Sequence, residues 1–162
     1  MVEQQARGYW VILSSFLIAY VLAVVPLTGL AAWLRPEWLA VVLIYWAIAL
    51  PHRVGLATAM LAGLGMDVLE GAVIGQNMLA LALVVLLSRL LYQRLRVFSI
   101  GQQALTVFFL AGVHQLVCQW IQAVEGAGAR SLWFMLPALT SAVFWPLVLM
   151  TLRRARRHFE VN

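Results

Sequence analysis

Two carboxylates three residues apart, Asp67 and Glu70, interrupt an otherwise apolar stretch and are the first candidates for chemistry in this sequence. On a helix that spacing makes them neighbours. A carboxylate in hydrocarbon costs roughly 2.5 to 3.5 kcal/mol on insertion scales, so the pair belongs in a protein interior or at an aqueous boundary. It could hold a proton, coordinate a cation or pair with an arginine of another subunit; the plainer reading is that it caps a helix end in water. Gln76 and Asn77 then open the next apolar run. A second polar set, His114, Gln115, Cys118, Gln119 and Gln122, recurs at i+3 and i+4 spacing and so lines much of one side of a helix. Glutamine facing lipid is disfavoured, which turns that side toward other helices, as interhelical hydrogen bonds or as the wall of a solute-sized pocket.

Neither an HExxH, a GxSxG nor a Walker loop occurs, and no nucleophile is convincingly paired with a base. Catalysis therefore finds no support, and nothing calls for a cofactor or a metal. Cys118 is the only cysteine, which excludes an intramolecular disulfide and reads as a small packing residue.

The elements that must position these groups follow from small residues. Gly55, Ala59 and Gly63 recur every four positions, hence on one helix face where another helix can approach to backbone contact. Gly71 and Gly75 follow the carboxylates. Residues 54–81 thus read as a helical hairpin with a polar elbow, its glycines serving close packing between helices or against a partner.

Of 162 residues, 64% are hydrophobic and only 10% charged, with mean hydropathy +0.94. A soluble domain is nearer half apolar and a quarter charged, so the chain is expected to be an all-α integral membrane protein. The apolar runs leave no stretch for a soluble domain, and residues 1–162 form a single transmembrane unit. Six spans are expected, over about 8–30, 38–50, 54–73, 74–91, 102–124 and 132–152. The first, kinked at Pro26, is longer than a signal-peptide core and is expected to be retained. The second and third are short for a 30 Å hydrocarbon core; the alternative is a re-entrant hairpin over 38–66 with four full spans. Pro137 and Pro146 are expected to break the last span.

The formal charge of +5 does not point to nucleic acid, because there is no lysine and the arginines sit at the ends of apolar runs. With six spans and a cytoplasmic N-terminus, Arg7, Arg53, Arg89, Arg94, Arg96, Arg153, Arg154, Arg156 and Arg157 fall inside and only Arg35 and Arg130 outside. That bias favours both termini in the cytoplasm. Arg53, Arg94, Arg96 and the C-terminal set Arg153, Arg154, Arg156 and Arg157 are candidates for anionic lipid, at about 1 kcal/mol per residue, or for docking a cytoplasmic protein.

The order of motifs carries a resemblance. Arg35-Pro36-Glu37-Trp38 leads to Tyr45-Trp46 and Pro51-His52-Arg53-Val54-Gly55. Gly63 to Asp67 and Gly71 follow, then Gly75-Gln76 with Leu79, and Phe98-Ser99 with Gln102-Gln103. The whole chain resembles the rod-shape-determining MreD family of Gram-negative bacteria, the last two spans only in general character. The resemblance implies a six-helix bundle similar to the substrate-binding components of energy-coupling-factor vitamin transporters. It also implies residence in the bacterial inner membrane within the cell-elongation machinery. The implied partners are MreC and, through it, MreB, RodA and a penicillin-binding transpeptidase. No catalytic residue is implied; Gly55, Gly63, Asp67, Gly71 and Gly75 match the family's glycine-rich motif and would have structural or docking roles. The expectation is a non-enzymatic scaffold, with a solute-binding or transport component as the alternative.

Overall fold

A chain in lipid must satisfy its backbone hydrogen bonds internally, and helices do so within one segment. The computed structural model describes residues 2–128, 131–159 and 161, with side chains from Gly8 onward; all its regular elements are helical. They are α1 (Val2–Val24), the single turn α2 (Leu30–Trp33), α3 (Trp38–Ala49), α4 (Leu56–Glu70), α5 (Gln76–Val97), α6 (Ile100–Val124), a 3-10 turn (Leu132–Met135) and α7 (Leu136–His158).

Four stretches are long and apolar enough to cross a membrane: Leu30–Ala49, Gln76–Val97, Ile100–Val124 and Leu132–His158. Gly8–Val24 is apolar but shorter. Helix α4 has 15 residues, about 22 Å at 1.5 Å per residue. The third of the six expected crossings therefore rests on a short helix.

Prolines set several boundaries differently from expectation. The first helix is not kinked at Pro26 but ends at Val24, because proline lacks an N–H and disfavours the helical region for the residue before it. Arg35 folds back and donates to the carbonyls of Ala23 and Val25, satisfying acceptors that the last turn of α1 leaves free. Pro137 does not break the last helix: it lies in the first turn, where a missing N–H costs nothing, and Pro146 sits inside a helix that continues to His158. Helix α6 begins with a capping box, Ser99 accepting from the Gln102 N–H while the Gln102 side chain accepts from the Ser99 N–H.

Helix α3 is the core. Every residue from Leu39 to Ala47 is buried, and Trp46, fully enclosed, donates its indole N–H to Ser15 Oγ at 2.8 Å. Its principal neighbours are α5 and α1, then α7 and α6, whereas α4 lies chiefly on α5. Helix α3 thus packs mainly on helices other than α4. At one end of the bundle Gly8, Arg53 and Val161 meet: a Cβ added at Gly8 would lie 2.8 Å from Arg53 Nη1 and 3.3 Å from Val161 Cγ1. The first and last helices thus start and finish at the same end.

Candidate functional site

The elbow between α4 and α5 is built by two left-handed glycines and one carboxylate. Gly71 ends α4 at φ 62° and Gly75 precedes α5 at φ 103°, a region a side chain disfavours. The first N–H groups of α5 have no partner within the helix. Asp67, 1% exposed, supplies one: its Oδ1 accepts the Asn77 N–H at 2.8 Å and its Oδ2 the N–H groups of Gly75 at 2.8 Å and Met78 at 3.4 Å. Negative charge is also favoured there by the helix dipole. Asp67 therefore caps the helix after its own, inside the protein, rather than its own helix in water.

Gly63 makes this possible. A Cβ there would fall 2.4 Å from the Met78 Cα and 2.6 Å from the Asn77 carbonyl carbon, so α4 and α5 meet backbone to backbone. Ala59 is fully buried, and a Cβ at Gly55 would touch only Arg89 Nη1, at 3.4 Å. The small-residue face, expected to serve partners or helices, is covered at Gly63 by this chain's own α5. Within this chain Gly71 and Gly75 serve the turn rather than helix contact: a Cβ at either meets nothing within 4 Å.

Asn77 is the hub of the polar groups. Its Nδ2 donates to Glu70 Oε2 at 3.1 Å, and its Oδ1 receives His114 Nε2 at 3.2 Å and Cys118 Sγ at 3.8 Å. With Nε2 as the donor, His114 turns Nδ1 toward Glu37 Oε2, 3.4 Å away and outside hydrogen-bond alignment. A proton on either group makes that approach attractive. Gln115 donates its amide to Glu37 Oε1, and the Glu37 N–H donates to Ser141 Oγ at 2.8 Å. Residues from α4, α5, α6, α7 and the turn before α3 are thereby tied together.

Glu37 and Ser141 were not singled out from sequence. Glu37 sits in an Arg-Pro-Glu turn that reads as a surface connection; a carboxylate immediately before a wholly apolar helix was the available signal. Gln76 is buried beside the hub, whereas Gln119 and Gln122 bond to each other at 3.4 Å along α6. Arg35 is engaged with α1 rather than with Asp67 or Glu70; Arg130 lies outside the described residues.

A cavity of about 230 Å³ opens beside the cluster, lined by Arg35, Glu37, Glu70, Asn77, His114 and Pro137 among others. Ligand pockets commonly measure about 300 to 1,000 Å³, so this is small. Cys118, 3.9 Å from His114 Nε2, is buried behind it and is not part of the lining. Among the described residues no three His, Cys, Asp or Glu side chains are grouped to hold a metal. At the opposite end Arg94, Arg96, Arg153, Arg154 and Arg157 are exposed and Arg156 is half-buried, while Arg53 lies 5.1 Å above the Tyr9 ring.

Long apolar helices around a buried polar knot define a multi-pass helical membrane protein. The family of the rod shape-determining protein MreD matches residues 4–155, and the chain belongs to that family. It is 29% identical over 154 residues to the rod shape-determining protein MreD of Haemophilus influenzae, covering 95% of each chain. No solved structure matches it. Membership gives the chain a role in rod-shape determination.

Proposed function

We propose that this chain is a non-enzymatic scaffold of the cell-elongation machinery, set in the inner membrane with six crossings and both termini in the cytoplasm. It binds MreC and through it couples MreB filaments, RodA and a penicillin-binding transpeptidase to peptidoglycan synthesis. One observation carries this reading: hydrogen bonds around Asn77 hold five segments in register, as a rigid platform requires. Partner spans then meet the exposed apolar exterior, since the α4 small face is covered at Gly63. The bundle similarity to vitamin-transport components is part of the same proposal.

The solute-binding alternative needs the cluster cavity, and about 230 Å³ is scant room for one. A pull-down from native membrane separates the two. MreC should travel with the wild-type chain; its absence, with a small molecule retained instead, favours the alternative. The threading is checked by single cysteines in a Cys118→Ser background. His52→Cys should label from the cytoplasm and Glu125→Cys from the periplasm, and the reverse pattern overturns the orientation.

A further inference from the structure

At the end of the bundle where the chain's two ends meet lies a second cavity, about 250 Å³, which the scaffold reading leaves unused. Its walls come from the ends of four helices: Tyr45, Ile48 and Ala49 of α3, Leu95 and Arg96 of α5, Gln103 of α6, and Trp145, Leu149, Arg153 and Arg156 of α7.

The polar groups of this cavity are unevenly satisfied. Gln103 is fully occupied: its Nε2 donates to the Leu95 and Phe98 carbonyls and its Oε1 accepts the Trp145 indole N–H at 3.2 Å. It forms a rigid wall. Tyr45 is only 4% exposed; its hydroxyl lies within reach of the Arg156 side chain but makes no aligned hydrogen bond. Arg156 spends its Nε on the Val161 carbonyl at 3.1 Å. Among the described residues neither Arg96, Arg153 nor Arg156 has a carboxylate within 4.0 Å.

The free groups are therefore three guanidiniums and one phenol, donors in each case, over a floor of Ile48, Ala49, Leu95 and Leu149. Guanidiniums that line one cavity favour an anion among them, and a buried hydroxyl without an aligned partner is costly. A group made only of acceptor oxygens answers both deficits, and arginine forks match phosphate oxygens in pairs. We infer that this cavity binds a phosphate group at the membrane surface, with Arg96, Arg153 and Arg156 on its oxygens and Tyr45 donating from below. The site does not depend on any elongation partner, so it stands or falls separately from the scaffold proposal.

The full chain in detergent is titrated with dioctanoyl phosphatidylglycerol, and separately with inorganic phosphate, by native mass spectrometry and thermal shift. Saturable binding of one equivalent is expected. The pair Arg153→Gln, Arg156→Gln should weaken it about tenfold or more, and Tyr45→Phe about threefold, each read as the ligand-induced shift from that variant's own unliganded melting temperature. The pair Arg94→Gln, Arg154→Gln removes the same charge outside the cavity and should leave affinity within about twofold. If inorganic phosphate competes at similar concentration, the free anion is the ligand; if only the lipid binds, the headgroup is, its glycerol resting on the apolar floor. Equal losses from the two arginine pairs, or binding that never saturates, would show a diffuse basic surface and overturn the site.

Discussion

Gly63 and Met78 stand closer than any side chain would permit: a Cβ at Gly63 would lie 2.4 Å from the Met78 Cα and 2.5 Å from its backbone nitrogen. Neither atom belongs to a flexible side chain, so nothing can swing aside. Gly63→Ala must push α4 and α5 apart, at about 1 to 3 kcal/mol for overpacking. A thermal melt of the purified protein should show the loss, and Gly63→Leu a larger one. Gly55→Ala, with its nearest neighbour the end of Arg89 at 3.4 Å, should change little. An unshifted melt for Gly63→Ala would mean the helices are not in backbone contact. Loss of a partner by Gly63→Leu would report the broken hairpin, not a docking face.

Separating the helices would also uncouple the cap. Asp67→Asn replaces a charged acceptor of three N–H groups with a neutral amide that can offer only one oxygen. Hydrogen bonds to charged groups contribute about 1.5 to 3 kcal/mol each, so the start of α5 should fray. Hydrogen exchange at the amides of Gly75, Asn77 and Met78 should rise while exchange within α6 stays put. Protection unchanged at Asn77 would remove Asp67 from this role.

The hub should behave as a coupled unit. Asn77→Ala and His114→Ala each leave a buried partner unsatisfied. Interhelical hydrogen bonds in membranes couple by about 0.6 kcal/mol on average and about 1.7 at most. A double-mutant cycle read by unfolding in mixed micelles should fall within that range. Additive losses would place the two side chains in separate environments.

In cells the same knot should matter for shape. Asn77→Leu removes the bonds to Glu70, His114 and Cys118 at once, and cells carrying it as their only copy should lose their rod aspect ratio under the microscope. Arg154→Gln, on an exposed arginine outside both cavities, should leave rods intact. Rods in both strains would mean the platform tolerates loss of its register.

The hairpin of α4 and α5 was legible because its signals are local. Small residues every four positions, a carboxylate at the elbow and glycines on either side describe a helix, a stop and a helix without reference to the rest of the chain. The polar row on α6 was legible for the same reason. Its destinations were not. His114 and Gln115 reach Glu37, about 78 residues earlier in the chain, and no periodicity within either segment encodes that pairing.

Helix α3 shows the division most sharply. Its uniform apolarity reads as a short crossing yet leaves half of a re-entrant loop as an alternative, because a helix without a polar face gives no direction. Burial from Leu39 to Ala47 is decided by α1, α5, α6 and α7 closing around it. The sequence alone determined a lipid-embedded helical chain, its basic ends and its tight hairpin, since hydropathy, charge placement and glycine spacing act over one or two turns. Only the tertiary structure decided that Asp67 caps a neighbouring helix, that Arg35 serves α1, and that Tyr45 shares a cavity with arginines from two other helices. Those outcomes depend on which helix ends come together, and that is set by packing across the whole bundle.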